Sequence, residues 1–312
     1  MKYNRLGRTE LSLSAMGLGG WAFGGGLDWG ITDEQDVVNT VSAALDTGIN
    51  WVDTAPIYGE SEVLLGRALK GRRQQVLLAS KCGLIKNGSW TDHDLSPQTI
   101  IRQLETSLAC LQTDYLDLYQ IHYLDPKIPL ESALETLTKL QEQGKIRYIG
   151  VCNFSADDLR QACGKFPLAS VQNEYSLLHP QKGKSVFSVC RELGVGFIGY
   201  GTLCGGILSG KYKKAPNFRR ADARNYFYKC YRGPAFEKAN KTVLRVKNVA
   251  QELGVPPGAV AGAWALATGA TSVLLGARKP EQVRQNVLGA EVLLSAQQLL
   301  YLEGKPCTCL MK

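Results

Sequence analysis

Four side chains of types that can move or steady a proton follow one another in this chain: Asp53, Tyr58, Lys81 and His122. Asp53 opens DTAPIYG after the apolar pair Trp51–Val52, Tyr58 lies five residues further on, Lys81 closes LLASK, and His122 closes LYQIH. A carboxylate, a phenol, an ammonium and an imidazole together suit carbonyl reduction, because hydride arriving at carbon leaves charge on an oxygen that must then be protonated. A free phenol, with a pKa near 10, donates poorly at pH 7, and an adjacent ammonium is expected to move that pKa down. A lysine buried beside it would shed its own proton unless paired, and Asp53 is the partner that keeps it charged. His122, neutral and donating from one ring nitrogen, would orient the carbonyl and stabilise its oxygen. Taken singly, each residue also suits a structural ion pair or a satisfied core position, so the ordered set carries the reading.

For these residues to meet, several strands must end on one rim. Short apolar runs alternate with helix-period stretches along the whole chain, which is the pattern of repeated βα units. Eight strands are expected, at 13–21, 50–55, 76–81, 115–123, 148–153, 170–174, 196–201 and 272–276. Amphipathic stretches at 33–47, 97–111 and 130–143 separate them, the second with Ser96 as its cap and Pro97 in its first turn. The repeats favour a closed (β/α)8 barrel, in which side chains that act on a substrate come from the C-terminal strand ends and the loops that follow. A doubly wound sheet would carry a glycine-rich turn leading straight from its first strand into a helix. Here Gly17, Gly19, Gly20 and Gly24–Gly26 are followed by residues 27–32 before any helical pattern begins, so they read as an adaptable loop. A hairpin is expected at 3–13, and helices at 237–253 and 258–268 follow the seventh strand. Nothing divides residues 1–312, which read as one domain with a flexible tail at 304–312.

Composition narrows the function classes. With 45% hydrophobic and 21% charged residues, the 312-residue chain can fill a large core. No apolar run approaches the roughly 20 residues of a membrane span, and MKYNRLGRTE lacks an apolar leader, so a cytoplasmic protein with no membrane partner is expected. Nine cysteines, an odd and scattered set, read as reduced thiols. Cys307 and Cys309 alone do not complete a tetrahedral metal site, and no metal is expected. The formal charge of +8 is concentrated between Lys211 and Arg232, where eight basic residues face one acid, Asp222. A single basic stretch suits a phosphate-bearing ligand, or simply a solvated loop, better than a nucleic-acid track. A small-molecule partner is expected; the oligomeric state is open, with a monomer favoured.

The motifs also carry a resemblance. DTAPIYG, LASK at Lys81, QIH at His122, GVCNF at 150–154, VQNEYS at 171–176 and LLGARKPEQVRQN at 274–286 together resemble the aldo-keto reductases, from LGRTEL near the start to beyond Asn286. The resemblance implies NADPH-dependent reduction of an aldehyde or ketone, with Asp53, Tyr58, Lys81 and His122 as the catalytic tetrad and Tyr58 as proton donor. It also implies that Asn153 and Gln172 bind the nicotinamide carboxamide and that Tyr200 stacks on the nicotinamide, the lesser alternative being a strand tyrosine packed in a core. Gly201 and Leu203 match the pyrophosphate loop, and Gly276, Arg278, Gln282 and Asn286 match the adenosine phosphate and adenine site. Departures are visible: GYGTLC at 199–204 where many members read A-Y-S-P-L-G, Gly276-Ala277 where many have Lys-Ser, and Gln282 where many have Arg. Arg278 resembles the basic residue of Gly-Ala-Lys and Gly-Ala-Arg variants. Trp21, Trp29, Trp90 and Tyr123 fall on rim loops and either wall an apolar substrate pocket or pack structurally. A second reading is a nucleotide-binding regulatory or redox-sensing subunit with little turnover, for which a proton donor would be superfluous.

Overall fold

The computed structural model describes residues 1–88 and 90–306. Eight parallel strands close into a barrel in chain order: Met16–Gly19, Trp51–Asp53, Leu77–Cys82, Leu116–Ile121, Ile146–Cys152, Ser170–Glu174, Gly196–Tyr200 and Ser272–Gly276. The last strand returns to the first through the register Gly276↔Gly19. The (β/α)8 expectation therefore holds. Leu116–Ile121 is buried at every position, as a strand must be when side chains fill the barrel inside and helices cover it outside.

The antiparallel hairpin Tyr3–Arg5 with Ser12–Ser14 plugs the N-terminal end of the barrel. Its Leu6, Leu11 and Leu13 pack with the inward-facing Trp51, Ala79, Leu118 and Ile198 in a small inner core. Trp51 fits because Gly17 has no side chain: a Cβ there would stand 2.2 Å from the indole. The larger core lies between strands and helices. In Pro97–Leu111, Ile100, Leu104, Leu108 and Leu111 share the buried face, while the Ser96 side chain accepts from the Thr99 amide and Pro97 opens the first turn. Asp33 caps Glu34–Asp46 in the same way.

Several boundaries differ from the sequence reading. The first strand is only Met16–Gly19, because residues 12–14 pair in the hairpin and Trp21–Gly24 forms a 3₁₀ turn. A second hairpin, Leu84–Asn87 with Trp90–His93, follows the third strand and was not expected; it is largely exposed and so lacks the apolar alternation that announces a strand. The basic stretch is partly ordered by its own pairing. Asp222 takes two hydrogen bonds from the Arg224 guanidinium, at 2.7 and 2.8 Å, and that guanidinium lies 3.9 Å from the Phe218 ring centroid. It contains the short helix Arg224–Phe227 and leads into Gly233–Leu253, which begins four residues ahead of the expected 237.

Among the described residues no helix is long and apolar enough to cross a membrane, and the seven cysteines found there, from Cys82 to Cys230, are unpaired thiols. Cys307 and Cys309 lie outside the described residues, as does the tail beyond residue 306.

Candidate active site

The second, third and fourth strands are neighbours, so Asp53, Lys81 and His122 arrive together at the C-terminal rim, with Tyr58 on the loop after the second strand. Lys81 is 1% exposed. Its ammonium donates to Asp53 Oδ1 and, at 2.9 Å, to the Thr54 carbonyl. It lies 4.9 Å from the centre of the Tyr58 ring, close enough for its charge to act on the phenol. The Tyr58 and His122 rings meet edge-on at 5.7 Å. The structure thus brings all four expected residues into one cluster.

Burial and pairing set the charges. Burial by itself would strip the Lys81 proton, but contact with Asp53, aided by Tyr58, more than offsets it and holds the ammonium above the ordinary lysine range. His122 is pushed well below the usual histidine range, by burial first and then by the Lys81 charge, so its imidazole is neutral at pH 7. The expected fall in the Tyr58 pKa does not occur. Burial raises it, the Lys81 charge opposes that rise, Asp53 adds to it, and the net direction is upward. The ammonium is visible in the sequence, whereas the desolvation that outweighs it arises only from packing.

The expected cofactor residues lie on the fifth to eighth strands and on the segments that follow them. Asn153, in the left-handed region at φ 60°, donates Nδ2–H to the His122 carbonyl at 3.0 Å and accepts the Tyr200 hydroxyl at 2.7 Å. Gln172 donates from Nε2 to Asp53 Oδ2 at 2.9 Å and to Gln120 Oε1 at 3.2 Å, which leaves its own carbonyl oxygen unspent. Tyr200 ends the seventh strand, half-buried, followed by Gly201 at φ +66° and the half-buried Leu203. Arg278 is half-buried and is not paired with Glu281. Its guanidinium donates to the carbonyls of Trp29, at 3.0 Å, and of Ile31, while its amide donates to Gln282 Oε1 at 2.7 Å. Asn286 is buried on the helix Pro280–Val287.

Two features of this side of the rim fit a polar, oxygen-rich ligand such as a dinucleotide. The Thr202 hydroxyl is buried with no hydrogen-bond partner, a state that costs about 1–3 kcal/mol until something bonds it. Gly276 faces open space, with nothing within 4 Å of where a Cβ would stand.

Over the tetrad stands an aromatic wall. Trp21 lies 6.0 Å from Tyr58, 5.2 Å from Trp29 and 5.0 Å from Phe227, and Tyr123 stacks on His122 at 5.4 Å. Trp90 is not part of it: on its outlying hairpin it is 78% exposed. Two neighbours of the site went unnoticed in the sequence. Gln120 donates to Asp53 Oδ2 at 3.0 Å, and its signal was its place two residues before His122, on the same face of an extended strand. Phe227 had no local signal, because only the docking of the 211–232 stretch brings it to Trp21.

Comparison with known proteins agrees with this architecture. The sequence pattern described as the Aldo/keto reductase family matches residues 15–305. Aldo-keto reductase YhdN of Bacillus subtilis (strain 168) is 38% identical over 289 residues, covering 91% of this chain and 87% of that protein. The NADH-specific methylglyoxal reductase of Escherichia coli (strain K12) is 34% identical over 328 residues, covering 95% of each. Among solved structures, the glycerol dehydrogenase AKR11B4 from Gluconobacter oxydans superposes with a TM-score of 0.88 at 32% identity, covering 97% of this chain and 94% of that one.

Proposed function

The chain belongs to the aldo/keto reductase family, oxidoreductases of carbonyl compounds, and from that premise we propose that it reduces an aldehyde or ketone with hydride from NADPH, Tyr58 supplying the proton. In this proposal residues 1–312 act as one catalytic barrel domain. The observation that carries it is the buried Lys81 ammonium, held charged by Asp53 and standing 4.9 Å from the centre of the Tyr58 ring. Burial keeps the phenol protonated at neutral pH, which is the form a donor needs before the reaction. As charge develops on the substrate oxygen, an alkoxide-like centre becomes a far stronger base than a phenolate. Proton transfer then runs downhill, and Lys81 stabilises the phenolate left behind. The neutral His122 donates a hydrogen bond to the same oxygen without competing for the proton.

NADPH, when bound, supplies the hydride. Residues suited to hold it are Asn153 and Gln172 at the carboxamide, Tyr200 against the ring, Gly201 and Leu203 by the pyrophosphate, and Gly276, Arg278, Gln282 and Asn286 at the adenosine end. Support for NADPH over NADH comes from Arg278, whose fork carries five N–H donors and spends only two groups on the Trp29 and Ile31 carbonyls. A relative is named as NADH-specific, so both cofactors are measured side by side. Trp21, Trp29, Tyr123 and Phe227 would hold the substrate body, and Trp90 drops out of that set.

The test is NADPH consumption with a panel of aldehydes and ketones, by the wild type and by Tyr58→Phe. The variant should lose about 100-fold or more in kcat, the scale of general acid catalysis, with dinucleotide affinity within about two-fold. Wild-type turnover by Tyr58→Phe overturns the assignment.

A further inference from the structure

Gln120 is completely buried inside the barrel. In register it lies between Lys81 on the third strand and Gly150 on the fifth. Gly150 makes the room: a Cβ there would fall 3.0 Å from Gln120 Cγ and 2.6 Å from Ser170 Oγ. The amide so accommodated donates Nε2–H to Asp53 Oδ2 at 3.0 Å. Its oxygen accepts from Gln172 Nε2 at 3.2 Å and from the Cys152 thiol at 3.6 Å. Gln172 donates to the same Asp53 oxygen at 2.9 Å. The carboxylate therefore gives one oxygen to Lys81 and has the other gripped by two amides.

We propose that Gln120 is a positioning residue for carbonyl reduction, acting with Gln172 to clamp the Asp53 carboxylate so that its free oxygen aims the Lys81 ammonium at Tyr58. This rests on the tetrad reading above. The clamp has a consequence for the dinucleotide. Because Gln172 spends its Nε2 on Asp53 and Gln120, only its carbonyl oxygen is left to accept from a ligand amide. Asp53, which can only accept, dictates which way round the Gln172 amide lies, and Gln120 reinforces that orientation by accepting a second bond from it. Without the Gln120 bond the Gln172 amide is held by Asp53 alone and its alignment with both Asp53 and the ligand loosens.

Two variants of nearly the same volume separate this role from mere packing. Gln120→Met removes the donor and the acceptor, and we expect kcat to fall about ten-fold at all pH values. Gln120→Glu places a second carboxyl against Asp53, with Lys81, Tyr58, Cys152 and His122 as the other titratable groups nearby. Two carboxyls in contact cannot both ionise easily, so one pKa rises strongly. While the introduced carboxyl keeps its proton it can donate to Asp53 as the amide did. The variant should therefore work within about three-fold of wild type near pH 5.5 and lose about ten-fold or more as the pH rises to 8.5. A structural role would not give a loss that reverses with acid. Tyr58→Phe is measured beside them: full turnover there removes the tetrad reading and this proposal with it. If Tyr58→Phe is inactive while both Gln120 variants match wild type from pH 5.5 to 8.5, or both lose the same activity at every pH, the clamp alone is refuted.

Discussion

Replacing Asp53 with asparagine keeps the shape of the side chain and deletes the charge that holds Lys81 protonated. In the wild type the Lys81 ammonium, 1% exposed, has a pKa above the ordinary lysine range, because Asp53 together with Tyr58 and Cys152 outweighs burial. Removing one partner of a buried pair costs about 3–5 kcal/mol, because the other charge is left without compensation. Burial then governs Lys81, its folded pKa falls below that of the unfolded chain near 10.4, and at sufficiently high pH the folded protein holds the lysine neutral. The sign follows from proton counts. In the wild type the raised Lys81 pKa stabilises the fold fully below about pH 10.4 and loses that contribution only as pH rises through the folded pKa, so Lys81 adds no slope between pH 7 and 9.5. In Asp53→Asn the unfolded chain binds the extra proton, so stability rises with pH by up to about 1.4 kcal/mol per unit until the unfolded lysine itself titrates. Urea unfolding of both proteins at pH 7 and 9.5 measures this directly. Asp53→Asn should be less stable by about 3–5 kcal/mol at pH 7 and recover part of that at pH 9.5, with turnover lost at both. A loss under about 1 kcal/mol at pH 7, or a deficit that does not shrink at pH 9.5, would refute the picture of a buried ammonium kept charged by Asp53.

Two further outcomes follow from the rim. Arg278→Ala should weaken NADPH binding by about 10-fold or more, the worth of one or two charge-assisted hydrogen bonds, while NADH binding changes little; dissociation constants for both cofactors on both proteins decide it, and equal weakening would put the phosphate contact elsewhere. In the basic stretch, trypsin should cut at the exposed Lys213 and Lys214 before Arg224, whose guanidinium is held by Asp222, and saturating NADPH should slow the cuts if the stretch closes over the dinucleotide. Equal rates with and without NADPH would leave it a solvated loop, as judged by the timed appearance of fragments on mass spectrometry.

How much could be read without the structure depended on the range of the forces involved. Strand and helix identities were legible because burial on two faces leaves short apolar runs and a capped helix declares itself in its first turn, as Ser96 and Pro97 do for Pro97–Leu111. Asp53, Lys81 and His122 at strand ends, with Tyr58 on the loop between, were legible too, since parallel neighbours must end on one rim. Three decisions belonged to tertiary structure. The direction of the Tyr58 pKa depended on desolvation against the Lys81 charge, and only packing sets the first. The partners of Gln172 and Gln120 depended on a glycine opposite, Gly150, which shows its purpose only once the fifth strand lies beside the fourth. The rim aromatics were sorted by long-range docking: the 211–232 stretch carries Phe227 to Trp21, while the hairpin after the third strand carries Trp90 out into solvent. Sequence names the groups that can react, because side-chain chemistry is local. Which of them are dry, paired or aimed at one another is fixed by contacts between residues far apart in the chain, and no local pattern encodes those.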